Sequence, residues 1–368
     1  MISKALVVGA YQRKAEEIAK QPGIDLTVVV PPYWDEETRR VRLERAYTSG
    51  YTLAVEPIAF SGRFHLHFYP RLNRLLGRLK PEVVHADEEP YNLATLQMIM
   101  LARRQRAGTV FFSWQNLYRR YPFPFSVVER YSLAHANYAV AGNADAASVL
   151  RRKGFRGPVA VIPQFGIDPD LFRRPDGWSP PADRPFTIGY VGRIVEQKGL
   201  LHLVRAVAGL PGEWRLSLLG AGPLEAEVRR LAAALGVGER LAIIPSVPST
   251  QVARHLLDLD VLVLPSLTRA NWKEQFGRVL VEAMACEVPV VGSDSGEIPH
   301  VVGEGGFIYP EGDDVALRER LRELVASPEQ RRRLGQLGRA RVLGHYTHAR
   351  LAEEYAAVYR QVGACTSR

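Results

Sequence analysis

Along the chain, short continuous apolar runs rich in Val and Ile alternate with longer stretches in which apolar positions recur every three to four residues. The first pattern is that of strands buried on both faces and the second that of amphipathic helices, so the alternation predicts parallel βα units. In the first half, strands are predicted at Ala5–Val8, Leu26–Val30, Val83–His85, Thr109–Phe112, Tyr138–Ala141 and Val159–Ile162. Helices are predicted over Arg71–Leu79, Leu93–Arg104 and Ala144–Arg152. The segment Tyr33–Leu66 is less regular and reads as extra strands with a mobile loop. Pro163–Pro185 holds six prolines with Gly166, Gly177 and several Asp, the composition of a linker. The alternation restarts at Phe186–Val191, with further strands at Arg215–Leu219, Leu241–Ile244, Val261–Leu264 and Pro289–Val291 and helices between them. The tail, Asp313–Val325 and then Pro328–Arg360, reads as consecutive helices.

The expected fold class is therefore α/β, built as two Rossmann-like, doubly wound domains over residues 1–165 and 186–345. They are joined by a linker at 166–185 and followed by a C-terminal segment at 346–368. Such a layout places ligands beyond the carboxyl ends of the strands, in a central cleft that the two sheets face. Two such domains also suit a length of 368 residues.

With 46% hydrophobic and 24% charged residues, each half can bury a core, and bulk disorder is excluded. Two cysteines, Cys286 and Cys365, are too few for a disulfide framework or a structural zinc site. The opening Met1–Gly9 reads as a strand entering a turn, since a signal peptide needs a longer apolar run. No run approaches the roughly 18 apolar residues of a membrane span. A cytoplasmic location follows as the expectation. Charge changes the picture most. Residues 1–165 carry 23 Lys+Arg against 14 Asp+Glu, whereas 166–368 carry 25 of each, so the whole formal charge of +9 lies in the first half.

Candidate chemistry concentrates in the second half. In Lys273-Glu-Gln-Phe-Gly-Arg-Val-Leu-Val-Glu282, the carboxylates Glu274 and Glu282 flank Phe276 and Gly277. A helix starting near Gly277 would expose its first-turn N–H groups as an anion site, Glu282 could accept from vicinal ribose hydroxyls, and Glu274 from sugar hydroxyls. The same spacing also fits an ordinary helix with a charged first turn. In Gly189-Tyr-Val-Gly-Arg-Ile-Val-Glu-Gln-Lys-Gly199, a strand ends in a glycine turn and the cations Arg193 and Lys198 flank the next helix, an arrangement suited to a pyrophosphate. Leu218-Leu-Gly-Ala-Gly-Pro223 is a second such turn, and neither it nor Gly9-Ala-Tyr11 carries the third glycine of the dinucleotide fingerprint, which disfavours hydride transfer.

Taken in order, Gly192-Arg193, Lys198-Gly199, Gly220-Ala-Gly222, Pro265-Ser266, Glu274 with Phe276, Gly277 and Glu282, Ala283–Cys286, Pro289–Val291 and Gly296-Glu-Ile-Pro299 resemble the retaining glycosyltransferases of family four, which have the GT-B fold. The resemblance spans the second domain, while the first is matched mainly by layout. It implies a hexose or N-acetylhexosamine moved from a UDP- or GDP-linked donor to a hydroxyl. The implied catalytic residues are Arg193 and Lys198 on the diphosphate and Glu274 on the transferred sugar. The implied donor-binding residues are Gly9, Gly192, Gly222, Val247, Phe276, Gly277 and Glu282, with the segment Ile244–Val247 near the base. The helix around Ala349–Val362 would cross back to the first domain. No metal is implied, because Arg and Lys neutralise the diphosphate.

The first domain departs from that family's pattern. Relatives often place a His at a strand end where this chain reads Phe112-Ser-Trp-Gln-Asn116, and the linker has Gln164-Phe165-Gly166 where relatives usually have Asn-Gly. Instead His85, Asp87, Glu88 and Glu89 cluster at the end of another strand, either gripping acceptor hydroxyls or capping the helix after Pro90. The aromatic and basic segment Trp114–Phe125 reads either as an acceptor or membrane contact or as a lid over the domain's own core. The acceptor set is thus His85, Glu88, Glu89, Trp114, Asn116 and Arg119. Arg39, Arg40, Arg42 and Arg45, and separately Arg71, Arg74, Arg78 and Lys80, add basic faces. The charge of this half suggests an anionic acceptor, such as a polysaccharide precursor or lipid-linked envelope glycan, or a peripheral contact with an anionic membrane. No nucleic-acid motif accompanies it. Two rivals share the architecture: a nucleotide-sugar epimerase and a nonenzymatic sugar- or nucleotide-binding protein.

Overall fold

The computed structural model describes residues 1–36, 39–178, 181 and 183–366. The chain divides into two units, Met1–Gly166 with His348–Arg368, and Ile167–Thr347.

In the first unit the strands are β1 (Thr27–Val30), β2 (Tyr33–Asp35), β3 (Arg40–Arg42), β4 (Thr52–Val55), β5 (Val83–Ala86), β6 (Gly108–Ser113), β7 (Tyr138–Ala141) and β8 (Val159–Val161). The helices are α1 (Arg13–Ala19), α2 (Leu72–Leu79), α3 (Leu93–Arg104), α4 (Phe125–His135) and α5 (Ala144–Arg152). Strands β5 to β8 pair in parallel, as do β1 and β4. Ile2 joins the two sets by bridging both Val29 and Ala86. The chain start, not Ala5–Val8, therefore fills the first-strand place. Ala5–Val7 forms a 3-10 turn instead, because Ser3 and Lys4 hand their side chains to Asp87 and Glu88 and the chain turns off the sheet there.

Alternate residues of each strand serve opposite faces, as the pleat requires. Val28, Val30, Val110, Phe112 and Val140 pack with α1, while Val29, Phe111, Ala139 and Ala141 pack with α2, α3 and α5. A terminal helix, His348–Thr366, covers the first of these faces with Leu351, Ala352, Tyr355, Val358, Tyr359 and Val362, a 3.6-residue stripe on one side of the helix. Two elements escape the hydrophobic pattern. Strand β4 is only four residues long and half-exposed, and α4 begins inside the aromatic segment that reads as a loop.

The second unit has strands β9 (Phe186–Val191), β10 (Trp214–Leu219), β11 (Leu241–Ile244), β12 (Val261–Leu264), β13 (Val290–Ser293) and β14 (Gly306–Tyr309), the last hidden in sequence by the preceding glycines. Its helices are α6 (Leu200–Ala208), α7 (Glu225–Ala234), α8 (Ser249–Leu257), α9 (Arg278–Ala285), α10 (Ile298–Val302), α11 (Asp314–Ala326) and α12 (Pro328–His345). All strand pairs are parallel, in the order β11-β10-β9-β12-β13-β14. Numbered along the unit this is 3-2-1-4-5-6, the doubly wound order whose switch point lies between β9 and β12. One core of buried aliphatic residues fills both faces of this sheet. Within it Cys286 is buried and unpaired, while the side chain of Cys365 lies outside the described residues.

Candidate active site

At the switch point the carboxyl ends of β9 and β12 present Gly192-Arg193 and Pro265-Ser266. The two glycine turns beyond β9 and β10 are built against each other. Gly192 N–H donates to the Leu219 carbonyl at 3.0 Å and Ile194 N–H to Ala221 at 2.9 Å. Side chains are excluded here: a Cβ on Gly220 would stand 1.9 Å from the Gly192 oxygen, and one on Gly222 would stand 2.2 Å from the Ile194 oxygen. Gly222 thus has a packing reason as well as any ligand-facing one. Arg193 is exposed, its carbonyl anchored by the Tyr190 hydroxyl at 2.7 Å, and among the described residues its guanidinium has no carboxylate partner.

Lys198 closes a 3-10 turn ahead of α6, and Gly199 at φ +66° brings that turn within contact of Pro265, where a Cβ would lie 1.9 Å from the carbonyl oxygen. The result is a convergence across 76 residues of chain. Lys198 Nζ sits 2.5 Å from Glu274 Oε2, which also accepts from Ser266 Oγ at 2.8 Å. The ammonium lies 4.9 Å from the centroid of the Trp272 ring. The Glu274 main chain is braced in turn: Glu297 N–H donates to its carbonyl at 3.2 Å, and Gly296, at φ +59°, permits the approach.

Three residues on, Gly277 occupies the N-cap of α9 at φ +73°, with Leu264 and Leu280 filling the space a Cβ would need. The helix has no side-chain cap, Leu280 N–H turns back to the Gly277 carbonyl at 2.8 Å, and the positive end of the helix dipole there favours an anion. Phe276 packs edge-on against Tyr346 at 5.6 Å. Glu282, one turn into α9 and nearly buried, accepts from Arg278 Nε at 2.9 Å. Burial raises its pKa and the Arg278 guanidinium opposes the rise. Val247 lies half-buried in the loop after β11. Chemically, this rim offers two cations, a row of helix amides and two shielded carboxylates.

The first unit holds a cavity of about 530 Å³ lined by Lys4, Trp34, Phe64, Glu88, Glu89 and Trp114 among others. Glu88 is buried and would be raised by that burial, but it ion-pairs with Lys4 and faces His67 at 3.7 Å, and these hold it down at about 2. Glu89 follows the opposite course. Burial pushes it up to about 7, although Ser113 Oγ and Trp114 N–H each donate to it at 2.7 Å. Neighbouring carboxyls driven apart in this way are a mark of sites that handle protons or hydroxyls.

The remaining acceptor candidates separate. Trp114 lines the cavity, its indole N–H on Gln164 at 2.9 Å and its ring filling the space above Gly142. His85 does not line it: the ring is 1% exposed, bonds the Tyr359 hydroxyl at 2.7 Å and packs on Tyr355, so burial and nearby Lys14 hold its pKa well below the ordinary value. Asn116 is buried and Arg119 exposed, both off the cavity wall. Gly9 belongs to this unit, with its N–H given to Glu44 at 2.7 Å and the space over its Cα filled by Glu44 and Ala46. Local reasoning missed Lys4, Asn92 and the buried Lys14–Asp87 pair, whose partners lie 73 to 84 residues away or, for Asn92, one helical turn from Glu88. It also missed Ser266 and Trp272 as neighbours of the Lys198–Glu274 pair.

A pair of doubly wound units with a cation-rimmed switch point in the second defines the class as a two-domain α/β protein of the GT-B kind. Comparison with known proteins agrees. The family described as "Glycosyl transferases group 1" matches residues 177–341 and the "Glycosyl transferase 4-like domain" family matches residues 8–164. The chain belongs to family four of the GT-B glycosyltransferases. It is 35% identical over 222 residues to the alpha-maltose-1-phosphate synthase of Mycolicibacterium smegmatis, covering 56% of this chain and 52% of that protein. The chain thus spans about half the length of the curated relatives it matches at this level. It is 28% identical to the 2-deoxystreptamine N-acetyl-D-glucosaminyltransferase of Streptomyces fradiae over 92% of this chain and 82% of that one. Among solved structures, Anabaena HepE in complex with UDP superposes with a TM-score of 0.73 at 17% identity, covering 98% of both chains, which speaks to the fold.

Proposed function

We propose that the protein is a retaining glycosyltransferase that moves a hexose or N-acetylhexosamine from a UDP- or GDP-linked donor to a hydroxyl of a polysaccharide precursor or lipid-linked glycan. The reading is carried by one observation: at the switch point of the second unit, Arg193, which has no carboxylate partner among the described residues, and the Lys198–Glu274–Ser266 cluster adjoin the N-terminus of α9, which has no side-chain cap. In this reading Arg193, Lys198 and the α9 amides take the diphosphate, Glu282 takes the ribose and Glu274 a hydroxyl of the transferred sugar. Gly192, Gly222, Val247 and Phe276 complete the donor surface. The C1–O bond to phosphate breaks with its electron pair going to the departing phosphate, the acceptor oxygen bonds C1 on the same face, and the acceptor proton passes to that phosphate. The cations do what a divalent ion would otherwise do, so no metal is required. The acceptor is assigned to the cavity at Glu88, Glu89 and Trp114, and the excess charge of residues 1–165 favours an anionic one.

The test is the Arg193→Ala/Lys198→Ala variant assayed for donor hydrolysis and transfer against a panel of nucleotide sugars. If each cation acts as a preorganised electrostatic donor, kcat falls roughly 100-fold or more in a variant that retains its far-UV spectrum. An unchanged kcat would refute the assignment. NMR of the donor alone separates the epimerase, which would invert the sugar without acceptor. The family matches favour transfer over epimerisation. A binding protein would give neither hydrolysis nor transfer.

A further inference from the structure

Helix α3 is apolar on two sides. Ala94, Met98, Leu101 and Ala102 face the core. Leu93, Leu96 and Met100, at i, i+3 and i+7, form a second stripe on the outer side, where Met100 is 38% exposed. With Phe68 they line an open apolar groove that ends at Arg104. Phe60, 56% exposed, extends it at 6.1 Å from Phe68. At the other end Met100 and Arg104 also line a hollow shared with Arg103, Arg106 and Tyr131. Among the described residues, no acidic one lines either depression.

The cations here differ from Arg39 and Arg40, two of the arginines that the sequence offered as a basic face, which are spent on Glu36 and Asp35 at 2.8 and 2.6 Å. Among the described residues, Arg103, Arg104 and Arg106 have no such partner. An exposed apolar strip ending in unpaired guanidiniums on flexible stems suits a surface that is apolar below and anionic above. We infer that the outer face of α3, from Phe60 to Arg106, docks on the headgroup region of an anionic lipid bilayer. The inference deepens the proposed function, resting on it only for the idea that the acceptor is presented at a membrane. No described helix is long and apolar enough to cross one.

The test is flotation of the full chain with vesicles of phosphatidylcholine alone and of phosphatidylcholine mixed with phosphatidylglycerol, at low and high salt. Donor hydrolysis is measured on the same samples. The unaltered protein floats only with the anionic vesicles and is released by salt. Arg103→Ala/Arg104→Ala weakens binding roughly 30-fold, at about 1 kcal/mol per cation near the surface. Met100→Glu abolishes it by taking charge into the apolar strip. Both variants keep donor hydrolysis, which reports on the second unit independently, so loss of hydrolysis in the unaltered protein would count against the glycosyltransferase reading and not this one. Equal binding to neutral vesicles, or binding unchanged in both variants, overturns the inference. So does concentration-dependent dimerisation that both variants abolish without vesicles, since the face would then belong to a second copy of the chain.

Discussion

Replacing Glu89 by Gln should stabilise the first unit, and by an amount that depends on pH. Its carboxyl rises from 4.5 to about 7 because burial penalises the charged form more than the donors from Ser113 and Trp114 compensate. That difference is worth about 3 kcal/mol, at about 1.4 kcal/mol per unit. Glu89 is only half-buried, and solvent screening on its exposed side leaves about 2 to 3 kcal/mol. The facing groups are Lys4, Glu88, Tyr91 and the Ser113–Trp114 turn, none of which the substitution alters. Gln can keep the Trp114 N–H bond through its oxygen while its amide meets the Ser113 hydroxyl as an acceptor. The sign follows from linkage. Below about 4.5 the carboxyl is protonated both folded and unfolded, and Glu89 costs nothing as a charge. As pH rises the unfolded chain ionises first, and the penalty is complete above about 7. Thermal unfolding of the two proteins from pH 4 to pH 8 should therefore show curves that diverge with pH. At roughly 2–4 °C per kcal/mol for a unit of this size, the variant should lead by roughly 4–12 °C at pH 8. A constant gap, or none, would refute the buried-carboxylate account. A carboxylate kept at such a cost suggests a task, so transfer should fall in the same variant through acceptor KM.

Other outcomes follow from the same geometry. Lys4→Met leaves Glu88 buried beside His67 without its cation and should cost about 3–5 kcal/mol in urea unfolding. Because the Glu88 carboxyl is depressed to about 2, the wild-type advantage should hold above about 4.5 and fade as pH drops towards 2. Gly212, at φ +79° with no atom within 4 Å of where a Cβ would stand, should tolerate Ala for about 1 kcal/mol. Gly199→Ala shares that conformational cost but drives a Cβ onto the Pro265 carbonyl, so its urea midpoint should fall at least twice as far, with donor hydrolysis lost as Lys198 is displaced. Equal midpoints for the two variants would mean that the close approach carries no energy.

What the sequence determined by itself was local. Hydrophobic period marked most strands, and glycine and charge marked the turns that follow them, because a strand buried on both faces and a turn at positive φ each leave a signature within a few residues. Arg193, Lys198 and Glu274 lie in or beside such turns and Glu282 one turn into the helix that follows Gly277, which is why they could be singled out in order along the chain. Tertiary structure alone decided which of them meet. The 3-2-1-4-5-6 order sets β9 beside β12, and only that pairing brings Lys198 to Glu274 and Ser266. It decided too that Ile2 rather than Ala5–Val8 completes the first sheet, that His85 turns to Tyr359 on the terminal helix, and that neighbouring Glu88 and Glu89 titrate in opposite directions. Parallel strands pair across tens of residues, and a side chain's burial is set by what packs over it. Neither quantity is written in the period of the segment that carries the residue.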